Sequence, residues 1–147
     1  MARAENPAMA GVTREDLRKV VDSFYAEVRQ DERLGPVFAS AVGDGWGPHL
    51  ERMTEFWSTV ALGTRTFKGN VYQKHVELSE QHDVVPEHFL RWITLWHKHT
   101  AALLPAPAAE ELQATAAGIG RNLFYGFFQQ FAHFVMQDGV AVDYVSV

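Results

Sequence analysis

The sequence LRKVVDSFYAEV, residues 17–28, predicts the first helix of the fold. Its apolar side chains recur at helical spacing with charged residues between them, which is typical of an amphipathic helix. These apolar positions are Leu17, Val20, Val21, Phe24 and Val28. Thr13 is a suitable N-cap, and Asp16 lies where a capping box places an acid. The helix is expected to stop near Leu34-Gly35-Pro36, because proline cannot continue the hydrogen-bond ladder.

The rest of the chain also shows mainly helical patterns. Pro48 suits the first turn of a second helix, which Gly63 ends, and Pro86 suits the start of a third. A short helical piece is predicted over residues 71–78, and a last long helix over 108–136. Since no segment shows sustained alternation flanked by hairpin turns, the sequence predicts an all-α protein with helices packed around one core.

Length and composition limit the class of protein. The chain has 147 residues, enough for one domain, with hydrophobic residues at 47% and charged residues at 21%. We divide it into a flexible lead-in at 1–12, a domain at 13–137 and an irregular tail at 138–147. The aromatic content of 12% fits either an aromatic core or a lining for something flat and apolar.

Several chemistries are excluded or disfavoured. The chain has no cysteine, which excludes disulfides, thiolate metal sites and iron–sulfur clusters. Its net charge of −5 and the lack of a basic stripe argue against nucleic acid. Phosphate-binding glycine loops and a GxSxG elbow are missing, so no catalytic residue is assigned. With no signal-like segment or membrane-length apolar run, we expect a cytoplasmic protein without a membrane partner.

Two of the seven histidines are candidates for a site. His49 shares a helix face with Met53 and Phe56, where a lone polar ring costs free energy unless it has a partner. His75 lies on the predicted short helix between two loops, a suitable place from which to aim one ligand. Spacing alone favours a hydrogen-bonded core histidine over a metal ligand for both. The others are expected at the surface or the edge of the core: His82, His88, His97, His99 and His133.

Tyr25 and Trp92 are a second pair of candidates. Each needs a hydrogen-bond partner for its polar atom if its ring turns inward. Backbone carbonyls could supply that partner, or both side chains could face a bound ligand.

Short segments in chain order resemble the bacterial truncated haemoglobins, most closely their third group. They are FYAEVR at 24–29, DERLGPVF at 31–38, WGPH at 46–49, FW at 56–57, LG at 62–63, Gly69, KH at 74–75 and HFLRW at 88–92. The resemblance covers about residues 17 to 103 at matching spacing. The chain departs from the family's pattern after Gly69, where an expected proline is missing.

The resemblance implies a two-over-two helical sandwich around haem b. It implies that His75 is the proximal iron ligand, that Tyr25 and Trp92 are distal hydrogen-bond donors, and that His49 stands at the distal entrance. His49 could donate to the ligand, act as a gate or bind iron itself, and the sequence does not choose. The expected pocket residues are Phe24, Met53, Phe56, Trp57 and Leu78. Arg52, Arg65, Lys68 and Lys74 are candidates to pair with haem propionates, although each could be ordinary surface charge.

The function implied is binding of a diatomic ligand (O2, NO or CO) at a five-coordinate iron, for oxygen binding, transport or sensing. A haem enzyme is the alternative, with nitric oxide dioxygenation or with peroxide or nitrite chemistry. It would need an external reductase, because the chain has no flavin or nicotinamide domain. A non-haem bundle with a histidine–carboxylate metal site is a third hypothesis, against which no Glu-x-x-His motif is found.

Overall fold

The computed structural model describes residues 6–65, 67, 69 and 83–146. Within these ranges the chain forms helices followed by a β-hairpin. The helices are α1 Arg14–Gln30, α2 Leu34–Val42, α3 Trp46–Leu62, α4 Pro86–Leu103 and α5 Ala106–Phe128. The strands are β1 Ala132–Gln137 and β2 Val140–Ser146. Among the described helices, none is long and apolar enough to cross a membrane. The helix predicted over residues 71–78 lies outside the described residues.

The predicted start of α1 is confirmed in atomic detail. The Thr13 hydroxyl accepts a hydrogen bond from the Asp16 backbone N–H, and the Asp16 carboxylate accepts one from the Thr13 N–H. This reciprocal capping box satisfies two backbone donors that a helix otherwise leaves without partners. The buried face carries all the apolar residues expected from the spacing, together with Tyr25.

A second helix follows α1 closely, at the point where the sequence pattern predicted only that the first helix would end. α2 has 9 residues and begins at Leu34, with Pro36 in its first turn. Proline is tolerated there because the N–H groups of a first turn have no partner within the helix. The predicted end of the first helix, near Pro36, therefore lies in the first turn of α2. α1 ends earlier, at Gln30.

The next two helices follow the predicted boundaries. α3 starts at Trp46 with Pro48 in its first turn and ends before Gly63, whose φ of 71° suits a left-handed helix cap. α4 begins at Pro86 as expected.

The helices pack as two crossed layers. α1 packs on α3, α4 packs on α5, and α1 crosses α4 between the pairs. The main core lies at this crossing, where the rings of Phe24, Trp57 and Trp96 are buried. The two-over-two arrangement expected from the resemblance is confirmed.

The last element differs from the prediction. A single helix over 108–136 is wrong beyond Phe128, because Gln129 has a φ of 57° and ends α5. Residues 132–146 form an antiparallel hairpin, so the expected irregular tail at 138–147 is also wrong for its described part. Asp138 and Gly139 turn the chain with φ values of 52° and 79°, as a type I′ turn requires. The Asp-Gly pair was the local signal for this hairpin.

The hairpin extends the core rather than standing apart. Its inward-facing residues Ala132, Phe134 and Ala141 are buried against Phe89 of α4 and Phe124 of α5. An isolated two-stranded sheet is marginal in water, so packing against these helices stabilises it.

The expected lead-in is part of the core as well. Pro7–Met9 forms a single 3₁₀ turn, and Met9 and Val12 are buried in the main core cluster. The Asn6 side chain starts the turn by accepting a hydrogen bond from the Ala8 N–H. The described residues 6–12 thus belong to the packed domain, which corrects the expectation of a loose segment.

Candidate functional site

The rings of Phe38 on α2 and of Trp46 and His49 on α3 lie around Tyr25 of α1. The Tyr25 ring centroid lies 5.0 Å from that of His49, 5.8 Å from Phe38 and 5.8 Å from Trp46. Trp46 in turn lies 5.5 Å from His49, edge to face. We call Tyr25, Phe38, Trp46 and His49 the ring cluster. It brings together two residues predicted for the site and two that were not.

The Tyr25 hydroxyl is held in its protonated form. The side chain is 6% exposed, and burial raises the pKa of its hydroxyl above the ordinary value of 10. A phenol that keeps its proton remains a hydrogen-bond donor at all physiological pH values. Tyr25 is therefore chemically able to donate to an electron-rich ligand atom.

Trp92 is connected to Tyr25 through Phe24. The fully buried Phe24 ring lies 4.8 Å from Tyr25 and 6.4 Å from Trp92, and both contacts are edge-on. Trp92 is half-buried. It packs against the main core and against the second cluster, which α4 and α5 form with the hairpin. The Phe24 ring thus lies between the two predicted donors, at the contact of α1 with α4.

One face of α3 carries His49, Met53 and Phe56 at intervals of one helical turn. All three side chains are half-buried, and Phe56 lies edge-on to Phe67 at 5.3 Å. Trp57 points elsewhere: it is buried and stacks on Trp96 with ring centroids 4.4 Å apart. The predicted pocket residues of α3 therefore fall into two groups: a half-exposed row of one imidazole and two apolar side chains, and one ring of the core.

The predicted basic residues occupy different environments. The Arg52 guanidinium lies 5.5 Å from the centre of the Phe67 ring, at the end of the half-exposed row. Arg65 is exposed in the loop after α3. Lys68, Lys74, His75 and Leu78 lie outside the described residues, so the proximal part of the predicted site stays a prediction.

The remaining histidines are only partly where the sequence placed them. His133 is exposed on β1 rather than at the edge of the core. His99 is not a surface residue: its ring is largely buried, with Nδ1 2.7 Å from the Ser23 hydroxyl and Nε2 2.8 Å from a Glu27 oxygen. His99 therefore links α4 to α1 next to Phe24, and the centroids of these two rings are 6.4 Å apart.

Sequence reasoning assigned no role to Trp46, Phe38 or Arg29. The Arg29 guanidinium lies 4.5 Å over the Trp46 ring, so an exposed cation covers the outer side of the ring cluster. A bulky ring between Gly45 and Gly47 at a helix start was the available signal. Arg29 and Phe38 gave none, because their contacts depend on how α1, α2 and α3 meet.

A known protein is similar in sequence to more than half of this chain. Group 3 truncated hemoglobin ctb of Campylobacter jejuni is 30% identical over 91 residues, which are 59% of this chain and 68% of the relative. The chain belongs to the group 3 truncated haemoglobin family.

The fold comparison agrees with this assignment. The crystal structure of group III truncated hemoglobin from Campylobacter jejuni superposes on this truncated haemoglobin with a TM-score of 0.75. The match has 22% sequence identity and covers 86% of this chain and 97% of the other. No family model matches the chain.

Proposed function

We propose that this chain binds haem b through His75 and holds a small diatomic ligand on the opposite side of the iron. Family membership supports the haem, and the half-exposed row of His49, Met53 and Phe56 supports a flat apolar group beside α3. When bound, haem would supply an iron that His75 would ligate and that could take up a small ligand. Arg52 is the described residue best placed to pair with a propionate, because it ends that row.

The observation that carries the proposal is the burial of Tyr25 within the ring cluster, where its hydroxyl keeps its proton because burial raises the pKa. Apolar rings around it exclude water, which otherwise competes for the hydrogen bond. Trp92, on the other side of Phe24, would supply a second donor through its indole N–H. We propose that these donors stabilise a bound ligand that carries partial negative charge, while His49 lines the entrance.

The same donors favour a second candidate function. A hydroxyl that donates to a bound diatomic ligand also polarises its bond, which suits nitric oxide dioxygenation or peroxide and nitrite chemistry. Repeated turnover would then require a separate reductase. Oxygen binding and transport need no such partner, so consumption of nitric oxide or peroxide with and without a reductant distinguishes the two. The cytoplasm stays the predicted location.

Reconstitution with hemin tests the haem proposal. The purified chain should take up one equivalent of hemin and give a Soret band, and His75→Ala should weaken binding at least tenfold or abolish the band. His133→Ala is the matched control, since His133 is exposed on β1, and it should bind hemin like the unmodified chain. A chain that stays colourless, or an unchanged spectrum in His75→Ala, would contradict the proposed ligand.

A further inference from the structure

Asp31 joins three helices through one carboxylate. Its Oδ2 accepts hydrogen bonds from the backbone N–H groups of Arg33 and Leu34, both at 3.0 Å, where α2 begins. Its Oδ1 accepts a hydrogen bond from Arg91 Nε on α4, at 2.6 Å. Asp31 itself is the residue that follows α1. Both oxygens are thus engaged, each with a different helix.

This ion pair differs from an ordinary surface pair. The Asp31 side chain is 5% exposed and that of Arg91 is 42% exposed, whereas Arg18 and Asp22, paired along α1, are 36% and 48% exposed, so the difference lies in the buried carboxylate. Burial by itself raises the pKa of the Asp31 carboxyl, yet the hydrogen bonds from the Leu34 N–H and from Arg91 leave that pKa below its usual value. A buried carboxylate with three donors fixes its partners more firmly than an exposed pair does.

The helices that Asp31 joins carry the proposed ligand donors. α1 carries Tyr25, α2 carries Phe38 of the ring cluster, and α4 carries Trp92 directly after Arg91. On another face of the same part of α4, Phe89 and Ile93 pack into the cluster that contains the hairpin. The first half of α4 is therefore fixed by apolar packing on one face and by the ion pair of Arg91 with Asp31 on another.

We propose that Asp31 is a positioning residue that acts through Arg91 to fix Trp92 relative to Tyr25. This inference rests on the proposed function, because it concerns the geometry of the two donors. Asp31 itself touches no ligand in this scheme.

Asp31→Asn isolates the contact with Arg91. The remaining amide oxygen still accepts from the Arg33 and Leu34 N–H groups, whereas the amide nitrogen faces Arg91 as a second donor. Because Asp31 acts through Trp92, its effect cannot exceed that of removing this donor, so we expect the oxygen off-rate of the haem-loaded protein to rise about threefold to fivefold. Asp22→Asn, which breaks the exposed pair of the same helix, should leave the rate unchanged.

A double-mutant cycle tests whether the effect passes through Trp92. In a Trp92→Phe background, Asp31→Asn should change the off-rate less than about twofold, since coupled residues are not additive. If Asp31→Asn alone leaves the off-rate unchanged, or raises it equally in both backgrounds, the inference is wrong.

Amide hydrogen exchange of the haem-free and haem-loaded chain gives a second readout. Asp31→Asn should speed exchange in residues 90–95 of α4, and α5 should keep its protection. Should Trp92→Phe by itself not alter the off-rate, the donor role of Trp92 fails, and exchange then decides on Asp31 alone. Unchanged protection of α4, or equal loss in α4 and α5, would overturn the positioning role.

Discussion

The imidazole ring of His49 stands edge-on to the phenol ring of Tyr25, with centroids 5.0 Å apart and the planes at 82°. The two residues lie 24 positions apart, on different helices, and Trp46 contacts both rings. His49 is therefore a direct neighbour of the proposed donor Tyr25. Any movement of the His49 ring would change the packing around the Tyr25 ring.

Removing a distal donor should speed ligand release. Tyr25→Phe keeps the ring contacts and deletes only the hydroxyl, and Trp92→Phe deletes the indole N–H. Since a hydrogen bond contributes about 1 kcal/mol, and 1.4 kcal/mol corresponds to a tenfold change, each variant should raise the oxygen off-rate roughly fivefold to tenfold. Stopped-flow displacement of oxygen by carbon monoxide measures this rate.

Tyr125→Phe provides the matched control for Tyr25→Phe. Tyr125 is exposed near the end of α5, where its ring stacks on Phe131 at 4.5 Å. Its variant should release oxygen at the rate of the unmodified protein. Equal rates for Tyr25→Phe, Trp92→Phe and Tyr125→Phe would remove the hydrogen-bond explanation.

Stability should depend on pH through Glu27. One carboxylate oxygen accepts from Lys98 Nζ and from His99 Nε2, each at 2.8 Å. The hydrogen bond from Lys98, with a further one from His99, lowers the pKa of Glu27 below its ordinary value of 4.5. A carboxyl with a lowered pKa stabilises the fold above pH 4.5, and this contribution is lost as the pH falls through the folded-state pKa.

Glu27→Gln tests this sign. Because partly exposed pairs contribute at most about 1 kcal/mol, the variant should lower the Tm by roughly 2 °C at pH 7. The difference should shrink as the pH falls below 4.5. Glu110→Gln, on the exposed side of α5, should not change the Tm at either pH. A Tm difference for Glu27→Gln that grows toward acid pH would contradict the assignment.

A side chain at Gly139 should strain the hairpin turn and lower the free energy of unfolding. Its φ is 79°, and an added Cβ would lie 3.2 Å from the His97 ring. Gly139→Ala should therefore destabilise the protein by about 1–2 kcal/mol. Urea unfolding followed by circular dichroism measures the change.

Gly118→Ala is the opposite control. An added Cβ there meets no atom within 4 Å, and the residue lies inside helix α5. Alanine should then stabilise the chain by roughly 0.5–1 kcal/mol, because it favours the helix more than glycine does. If Gly139→Ala left the stability unchanged or increased it, the turn geometry assigned to Gly139 would be wrong.

Features that depend on neighbours within a few residues were predictable. The Thr13 capping box, the start of α4 at Pro86 and the end of α3 at Gly63 follow from backbone donors, a ring and a left-handed φ that act locally. The Asp138-Gly139 turn belongs to the same class, since its signal was present and the hairpin was missed only because a helical pattern was extended past Phe128.

The capped helices, their apolar faces and, through residues such as Tyr25 and Trp92, the resemblance to a family can all be deduced from the order of the amino acids. Three further features became visible only in the folded chain: Phe24 separates those two rings, Trp46 and Phe38 complete the ring cluster, and Asp31 pairs with Arg91 60 positions later. The difference follows from the distance along the chain over which each interaction acts. Helix caps and periodicity act within one or two turns, whereas these contacts exist only after α1, α2, α3 and α4 have packed together.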